Sequence, residues 1–283
     1  MNAATTYNVC IQQSAISNQG NEPKCIFARS VLPDNFEPAV CESMTKKTSA
    51  IITAAGHGRR MRESRKKQFL MLGEVPIIVH TLQTFQESAS INEIVLVVPD
   101  DGIDYCKQNI VNNYKFTKVE KIVSGGEKRQ ESVFNGLKSV SREIDLVVVH
   151  DGVRPFLSKP ILENSIKKAK EKGSVVVAIP VKDTLMKISD KGMVTEGQNR
   201  DSIWRIQTPQ VFKKEILISA FEKALKDNFC GTDESTLVTR LGISVYVVNG
   251  SELNIKITTP EDMVLGESIL KAFSRQHSAQ LLK

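Results

Sequence analysis

Six cations crowd into nine residues: Arg59, Arg60, Arg62, Arg65, Lys66 and Lys67. They follow a short apolar run, Ala50, Ile51 and Ile52, and a set of small residues, Ala54, Ala55, Gly56 and Gly58. A loop without bulky side chains lets backbone N–H groups approach an anion closely, as glycine-rich loops do. Strand, small-residue loop and basic segment together describe a site for a nucleoside triphosphate. The same residues also fit a βα turn carrying an exposed basic helix, and alone they do not choose between the two. Two other phosphate loops are excluded. No GxxxxGK[ST] motif is present, and the dinucleotide pattern GxGxxG fails because Met61 stands at the third glycine.

The remaining bulk properties narrow the partner. The net charge of +6 is modest, and the 6% of aromatic residues are scattered, so neither a basic stripe nor stacking platforms for nucleic acid exist. No apolar run approaches the ~20 residues that span a bilayer. A chain of 283 residues with 41% hydrophobic and 25% charged content is an ordinary globular protein with ample core. Its five cysteines form no CxxC pair, which points to a reducing compartment and away from structural zinc. An anionic small molecule is the expected partner, with no nucleic acid and no membrane.

Residues 1–48 differ in kind. They are rich in Asn, Gln, Ser and Thr, carry Pro23, Pro33 and Pro38, and lack sustained periodicity, so the expectation is a disordered extension. A secretory signal is ruled out by the missing apolar core. The acidic residues and few arginines speak against a transit peptide, so the expected location is the cytoplasm, with an organelle as the alternative if the extension is such a peptide.

From Ser49 to Lys283 apolar runs alternate with helical patterns. Glu93–Val98, Lys118–Ser124, Asp145–His150, Ser174–Pro180 and Ser244–Val248 read as strands; Pro76–Gln86, Lys128–Val140, Pro160–Lys172 and Lys213–Asp227 read as helices. A last helix starts at Thr259 and Pro260 and runs to about Phe273. Strands apolar on both faces, separated by helices, predict a mostly parallel α/β sheet covered on both sides, with ligands at the strands' carboxyl ends. Residues 182–204 are polar and strand-like around Gly192 and Gly197, and predict an arm projecting from the sheet.

Seven segments then fall in a telling order: AAGHGRRM…KKQ (Ala54 to Gln68), SGGEKRQES (Ser124 to Ser132), HDGVRPF (His150 to Phe156), VKDTLMK (Val181 to Lys187), NRDSIWRIQTPQVF (Asn199 to Phe212), GTDES (Gly231 to Ser235) and NIKITTPED (Asn254 to Asp262). From about Ala50 to Leu270 the chain resembles the 2-C-methyl-D-erythritol 4-phosphate cytidylyltransferase family of the non-mevalonate isoprenoid pathway. It departs from the pattern in three places. Lys66 stands where proline usually precedes the Lys-Gln pair, Gly152 and Val153 replace a commoner small pair, and Gln198 and Asn199 precede Arg200.

The resemblance implies a Rossmann-like nucleotidyltransferase fold, CTP as substrate, a divalent cation such as Mg²⁺, and a homodimer joined through the arm. It implies a reaction in which the phosphate of methylerythritol phosphate attacks the α-phosphorus of CTP and expels pyrophosphate. On this reading Arg60, Lys67 and Lys256 are catalytic, neutralising charge at that phosphorus. Ala54, Ala55, Gly56, Gly58, Gly125, Gly126, Glu127, Arg129, Ser132 and Asp151 bind the nucleotide, with Asp151 also facing the metal. Arg154, Thr184, Arg200 and Thr232 bind the acceptor, Thr184 and Arg200 reaching in from the neighbouring subunit. Two other functions share these loops: a ribitol 5-phosphate cytidylyltransferase and a catalytically inactive nucleotide-binding homologue.

Overall fold

The computed structural model describes residues 46–56, 61 and 66–280, with side chains of the last helix described to Phe273. In chain order the elements are β1 (Lys47–Thr53), a 3₁₀ turn (Lys67–Phe69), the short strands β2 (Met71–Leu72) and β3 (Val75–Pro76), α1 (Ile77–Glu87), β4 (Glu93–Val98) and α2 (Ile103–Tyr105), which continues as a π-helical stretch (Cys106–Asn112). Then come β5 (Val119–Ser124), α3 (Arg129–Ser139), β6 (Ile144–Asp151), α4 (Lys159–Lys172), β7 (Ser174–Pro180), β8 (Met186–Ile188), β9 (Val194–Gly197), β10 (Trp204–Lys213), α5 (Lys214–Lys226), α6 (Glu234–Thr239), β11 (Tyr246–Asn249) and α7 (Pro260–Gln280).

Seven strands form the main sheet in the order β11-β7-β10-β6-β1-β4-β5. All neighbours run parallel except β10, which is antiparallel to both β6 and β7. Strict alternation along the central strands explains the two-sided core. Ala50, Ile52, Ile94, Leu96, Val98, Leu146 and Val148 face one side with α1 and α4, while Ile51, Val95, Val97, Val147 and Val149 face the other with α3 and α5. A third, smaller cluster of Leu72, Ile77, Val153, Phe156, Ile257 and Ile269 seats α7 beside the β2–β3 hairpin. Helix ends follow local chemistry: Pro160 sits in the first turn of α4, and Gly173 closes it at φ 87°.

Three features depart from the sequence reading. Most of residues 1–48 lie outside the described residues, but Lys47 and Thr48 already belong to β1. Their amides are tied to Asp145 Oδ2 at 2.9 Å and Asn92 Oδ1 at 2.8 Å. The segment after the predicted arm, for which the sequence reading names no strand, forms with Trp204 the longest strand, β10, which sits in the middle of the sheet. Its ladder to β7 breaks between Gln207 and Gln210, around Thr208 and Pro209. Finally, the first turns after β4, Ile103–Asn112, are helical where no helix is expected. The residues of the predicted arm do contain a hairpin, β8–β9, whose seven strand residues are all exposed.

Candidate active site at the carboxyl edge of the sheet

Parallel strands end on the same edge, so the loops following β1, β5 and β6 meet there. Backbone bonds lock the three turns together: Ala54 N–H donates to the Val97 carbonyl at 2.7 Å, Gly152 N–H to that of Thr53 at 2.8 Å, and Gly125 N–H to that of Val98 at 2.8 Å. The fit leaves no room for a side chain at Gly125. A Cβ built there would lie 2.3 Å from Ala55 Cβ and 2.8 Å from Ser132 Oγ. By contrast, Gly56 faces open space, its nearest prospective neighbour being Lys67 Cε at 3.8 Å.

These loops enclose a cavity of about 360 Å³. One wall is Thr53, Ala54, Ala55 and Gly56; another is the loop Gly126–Arg129 with Ser132; Lys67, Gln68, Asp151, Val153 and Lys256 complete it. Residues from five separate parts of the chain therefore share one concave site, and three of the cations, Lys67, Arg129 and Lys256, line it together. Gly58 and Arg60 lie outside the described residues.

Asp151 organises the electrostatics. Its carboxylate is almost wholly buried and meets Lys256 Nζ at 3.0 Å, Arg154 Nε at 3.3 Å and Arg129 Nε at 3.4 Å. Burial by itself would raise its pKa, but Lys256, Arg129 and Arg154 overcome that and hold the carboxyl well below the usual carboxylate range. Arg129 is fixed from its other side by Glu234 of α6, Nη1 to Oε1 at 2.7 Å and Nη2 to Oε2 at 3.0 Å. Although burial disfavours its charge, Glu234 and Asp151 push the Arg129 pKa up, so it stays a cation. Arg154 donates from Nη1 to the Asn254 carbonyl at 2.7 Å, which anchors the strap carrying Lys256.

The buried polar residues of β10 belong to this scaffold. Thr208 Oγ1 accepts from the Asp151 amide at 3.1 Å and lies 3.0 Å from His150 Nδ1. Gln210 donates to Asp233 Oδ2 at 2.8 Å and accepts from the Ser235 amide at 3.0 Å, fixing the start of α6. Asp233 in turn caps that helix by accepting from the Thr236 amide at 2.9 Å. Gln207 bonds the Ser251 carbonyl and the Asn254 side chain at 2.8 and 3.1 Å. Polar residues sit in a central strand because each holds a site loop in place. His150, fully buried, has its pKa pushed down to about 3 by burial and is a neutral packing residue, not a general base.

The loop after β5 is shaped from within. Gly126 N–H donates to Ser132 Oγ at 3.1 Å, and the Ser132 hydroxyl has the Lys128 carbonyl at 3.1 Å. Glu131 accepts from the Lys128 amide at 3.3 Å, completing the entry to α3. Lys66, at the position where proline is usual, adopts φ −60°, a value proline also takes, and its ammonium pairs with Asp101. The chain thus keeps the proline-like backbone and adds a side-chain tether.

None of the four predicted acceptor-side residues lines the cavity. Arg154 is adjacent, behind Asp151. Thr184 is exposed next to the hairpin, and Arg200, also exposed, donates to the Lys182 carbonyl at 2.9 Å. Thr232 is exposed before α6, 3.3 Å from Thr236 Oγ1. The sequence reading gave no role to Gln68 or Glu234. Gln68 stood beside Lys67 in the Lys-Gln pair and Glu234 inside GTDES, but no spacing rule couples position 234 to 129.

Comparison with known proteins agrees with this geometry. The family model of 2-C-methyl-D-erythritol 4-phosphate cytidylyltransferase matches residues 48–272. Proteins of that name from Clostridioides difficile and Syntrophus aciditrophicus are 48% and 45% identical over 227 and 228 residues, covering 80% and 81% of this chain and 95% and 97% of theirs. A crystal structure of 4-diphosphocytidyl-2C-methyl-D-erythritol synthase from Anaerococcus prevotii aligns with TM-score 0.71 at 37% identity, over 80% of this chain and 96% of that one. The Thermus thermophilus cytidylyltransferase aligns with TM-score 0.66 at 30% identity, over 80% and 99%. The chain belongs to the 2-C-methyl-D-erythritol 4-phosphate cytidylyltransferase family.

Proposed function

We propose that this chain transfers the cytidylyl group of CTP to 2-C-methyl-D-erythritol 4-phosphate, giving 4-diphosphocytidyl-2-C-methyl-D-erythritol and pyrophosphate. The observation that carries it is the meeting of Lys67, Arg129 and Lys256 with the small-residue loop in one cavity at the sheet edge. An oxygen of the acceptor phosphate attacks the α-phosphorus, and the bond from that phosphorus to the oxygen bridging to the β-phosphate breaks. The nucleophile is already ionised, so no base removes a proton. Catalysis is alignment and charge neutralisation, which suits a cation-lined cavity.

Roles follow position. The backbone of Ala54, Ala55 and Gly56 offers close approach for the triphosphate, with Gly58 and Arg60 of the same motif assigned to it as well. The loop of Gly125, Gly126, Glu127 and Ser132 recognises cytosine, whose N4 amine needs an acceptor and whose N3 needs a donor. Lys67 and Lys256 stabilise the charge on the α-phosphate oxygens, and Arg129, locked between Glu234 and Asp151, adds a fixed positive charge beside them. Arg154, Thr184, Arg200 and Thr232 bind the acceptor.

A divalent cation fits the donor set. Asp151 and Glu127 are the carboxylates lining the cavity, and among the described residues no three His, Cys, Asp or Glu side chains cluster into a metal cage. Mg²⁺ needs no such cage, because it binds through one or two carboxylates with phosphates and keeps several waters. Asp151, held ionised, would take it together with the phosphates. When bound, the ion neutralises triphosphate charge.

The arm supports a homodimer. Met186, Ile188 and Val194 of the hairpin are 49%, 58% and 66% exposed, an apolar surface that a second subunit would cover. Thr184 and Arg200 flank it and would then serve the partner's cavity. Ile188→Asp should shift the chain to monomer in analytical ultracentrifugation and lower activity with it. No helix among the described residues is long and apolar enough to cross a membrane, and the free thiols of Cys106 and Cys230 suit the reducing cytoplasm we assign. Pyrophosphate release should require CTP over the other nucleotides and methylerythritol phosphate over ribitol phosphate; release with ribitol phosphate alone, or none with either, would overturn the assignment.

A further inference from the structure

Lys256 lines the cavity from the strap between β11 and α7, a segment that is neither helix nor strand. Its ammonium is therefore only as well placed as that strap is held. Burial holds one end: Ile257 is fully buried in the small cluster that seats α7, and its N–H donates to the Val153 carbonyl at 2.9 Å. Hydrogen bonds hold the other. Asn254, two residues before Lys256, is fully buried, and its Nδ2 donates to the Thr208 carbonyl at 2.9 Å and to Gln207 Oε1 at 3.1 Å. Its Oδ1 has no partner among the described residues, so the amide is oriented for what its nitrogen holds, at some cost in stability. Thr208 is a common reference point, because its Oγ1 also accepts from the Asp151 amide at 3.1 Å. Both members of the Lys256–Asp151 pair, 3.0 Å apart, are thus tied to one residue of β10.

We infer that Asn254 is a positioning residue for the transfer step: its carboxamide sets where Lys256 stands, without itself touching substrate. The cavity is lined by Lys256 and not by Asn254, so an effect of Asn254 on turnover passes through the strap. A lysine is a point charge on a flexible four-carbon stem, and its reach is set by the backbone that carries it. Released from β10, that backbone shifts, and the charge is no longer preorganised at the reacting phosphorus. A displacement of about 1 Å is enough to cost up to ~10²-fold in rate. This inference rests on the role proposed above for Lys256.

The test measures kcat for pyrophosphate release from CTP and methylerythritol phosphate in the full-length wild type, Asn254→Ser, Lys256→Met and the double variant, with a melting curve for each. Asn254→Ser removes both Nδ2 bonds and should lower kcat about tenfold when Lys256 is present. In the Lys256→Met background it should lower kcat by less than about twofold, because the group it positions is gone. A purely structural role gives the same factor in both backgrounds. Equal factors therefore overturn the inference, as does a wild-type kcat in Asn254→Ser. If Asn254→Ser shows no cooperative melt, Gln207→Met replaces it. That variant removes one of the two Nδ2 acceptors and the bond to Ser251, and should lower kcat about threefold, again only with Lys256 present. If neither variant folds, the clamp serves the fold alone and the inference falls. Undiminished kcat in Lys256→Met leaves nothing to position and overturns it too. Wild type without pyrophosphate release sinks the proposed function and this inference with it, whereas equal factors in an active enzyme sink the inference alone.

Discussion

Removing Glu234 should expose how much of the site is held from a distance. Its carboxylate is 1% exposed and takes both terminal nitrogens of Arg129, at 2.7 and 3.0 Å. Breaking a buried pair by deleting one partner costs about 3–5 kcal/mol, because the remaining charge is left uncompensated. Here Arg129 keeps Asp151 at 3.4 Å and is 29% exposed, so water and the second carboxylate recover part of that. The expected cost of Glu234→Ala is therefore about 2–3 kcal/mol, the lower end of that range discounted for solvent. For a chain of this size that corresponds to a melting point lower by about 4–12 °C. Glu234→Gln keeps one neutral acceptor and should lose about 1–2 kcal/mol. Urea unfolding of Glu234→Ala, Arg129→Met and the double variant gives the coupling directly. Because Arg129 lines the cavity, Glu234→Ala should also raise the KM for CTP. A coupling energy below about 0.5 kcal/mol, the level of independent sites, would refute the claim that Glu234 positions Arg129.

Lys256→Met should lower kcat by ~10²–10³, the effect of losing one preorganised donor to developing charge, with the fold intact by circular dichroism. Gly125→Ala should destabilise the protein by about 1–3 kcal/mol as an overpacked contact, since its Cβ would meet Ala55 Cβ at 2.3 Å; equilibrium unfolding measures this, and nucleotide affinity should fall with it as the two loops part. Stability should also fall with acidification. His150 is pushed down to about 3 in the folded state, so below about 6.5 the unfolded chain binds a proton that the native chain refuses. Unfolding free energy then drops by up to about 1.4 kcal/mol per pH unit between those values. Asp151, whose folded pKa lies below its unfolded value, adds a loss of the same sign only below about 3.9. His150→Gln should flatten the slope between pH 6 and 4 in urea titrations at fixed ionic strength.

The alternation of apolar runs and helical periods was enough, from sequence, to give a parallel α/β sheet with ligands at its carboxyl edge. The strands β4, β6 and β7 are dominated by Val, Ile and Leu because both of their faces are covered, and that burial is written in the local sequence. Strand β10 was not legible. Gln207, Thr208, Pro209 and Gln210 carry no strand signal, since local pattern cannot show that each polar side chain has a partner waiting in another loop. The arm residues, by contrast, look polar and β-like locally and are a hairpin.

The site divided in the same way. Small residues followed by cations named Ala54, Ala55, Gly56 and Lys67, because the chemistry of holding phosphate is local in the chain, and the ordered motifs added Arg129, Asp151 and Lys256. What sequence could not decide is which charges neutralise which. Asp151 bonding Lys256, Arg129 and Arg154 at once, and Glu234 locking Arg129 from 105 residues away, are facts of folding. Short-range patterns record what a segment wants to bury, but ion pairing inside a protein depends on where distant segments meet and how little water remains there. Only the tertiary structure fixes either.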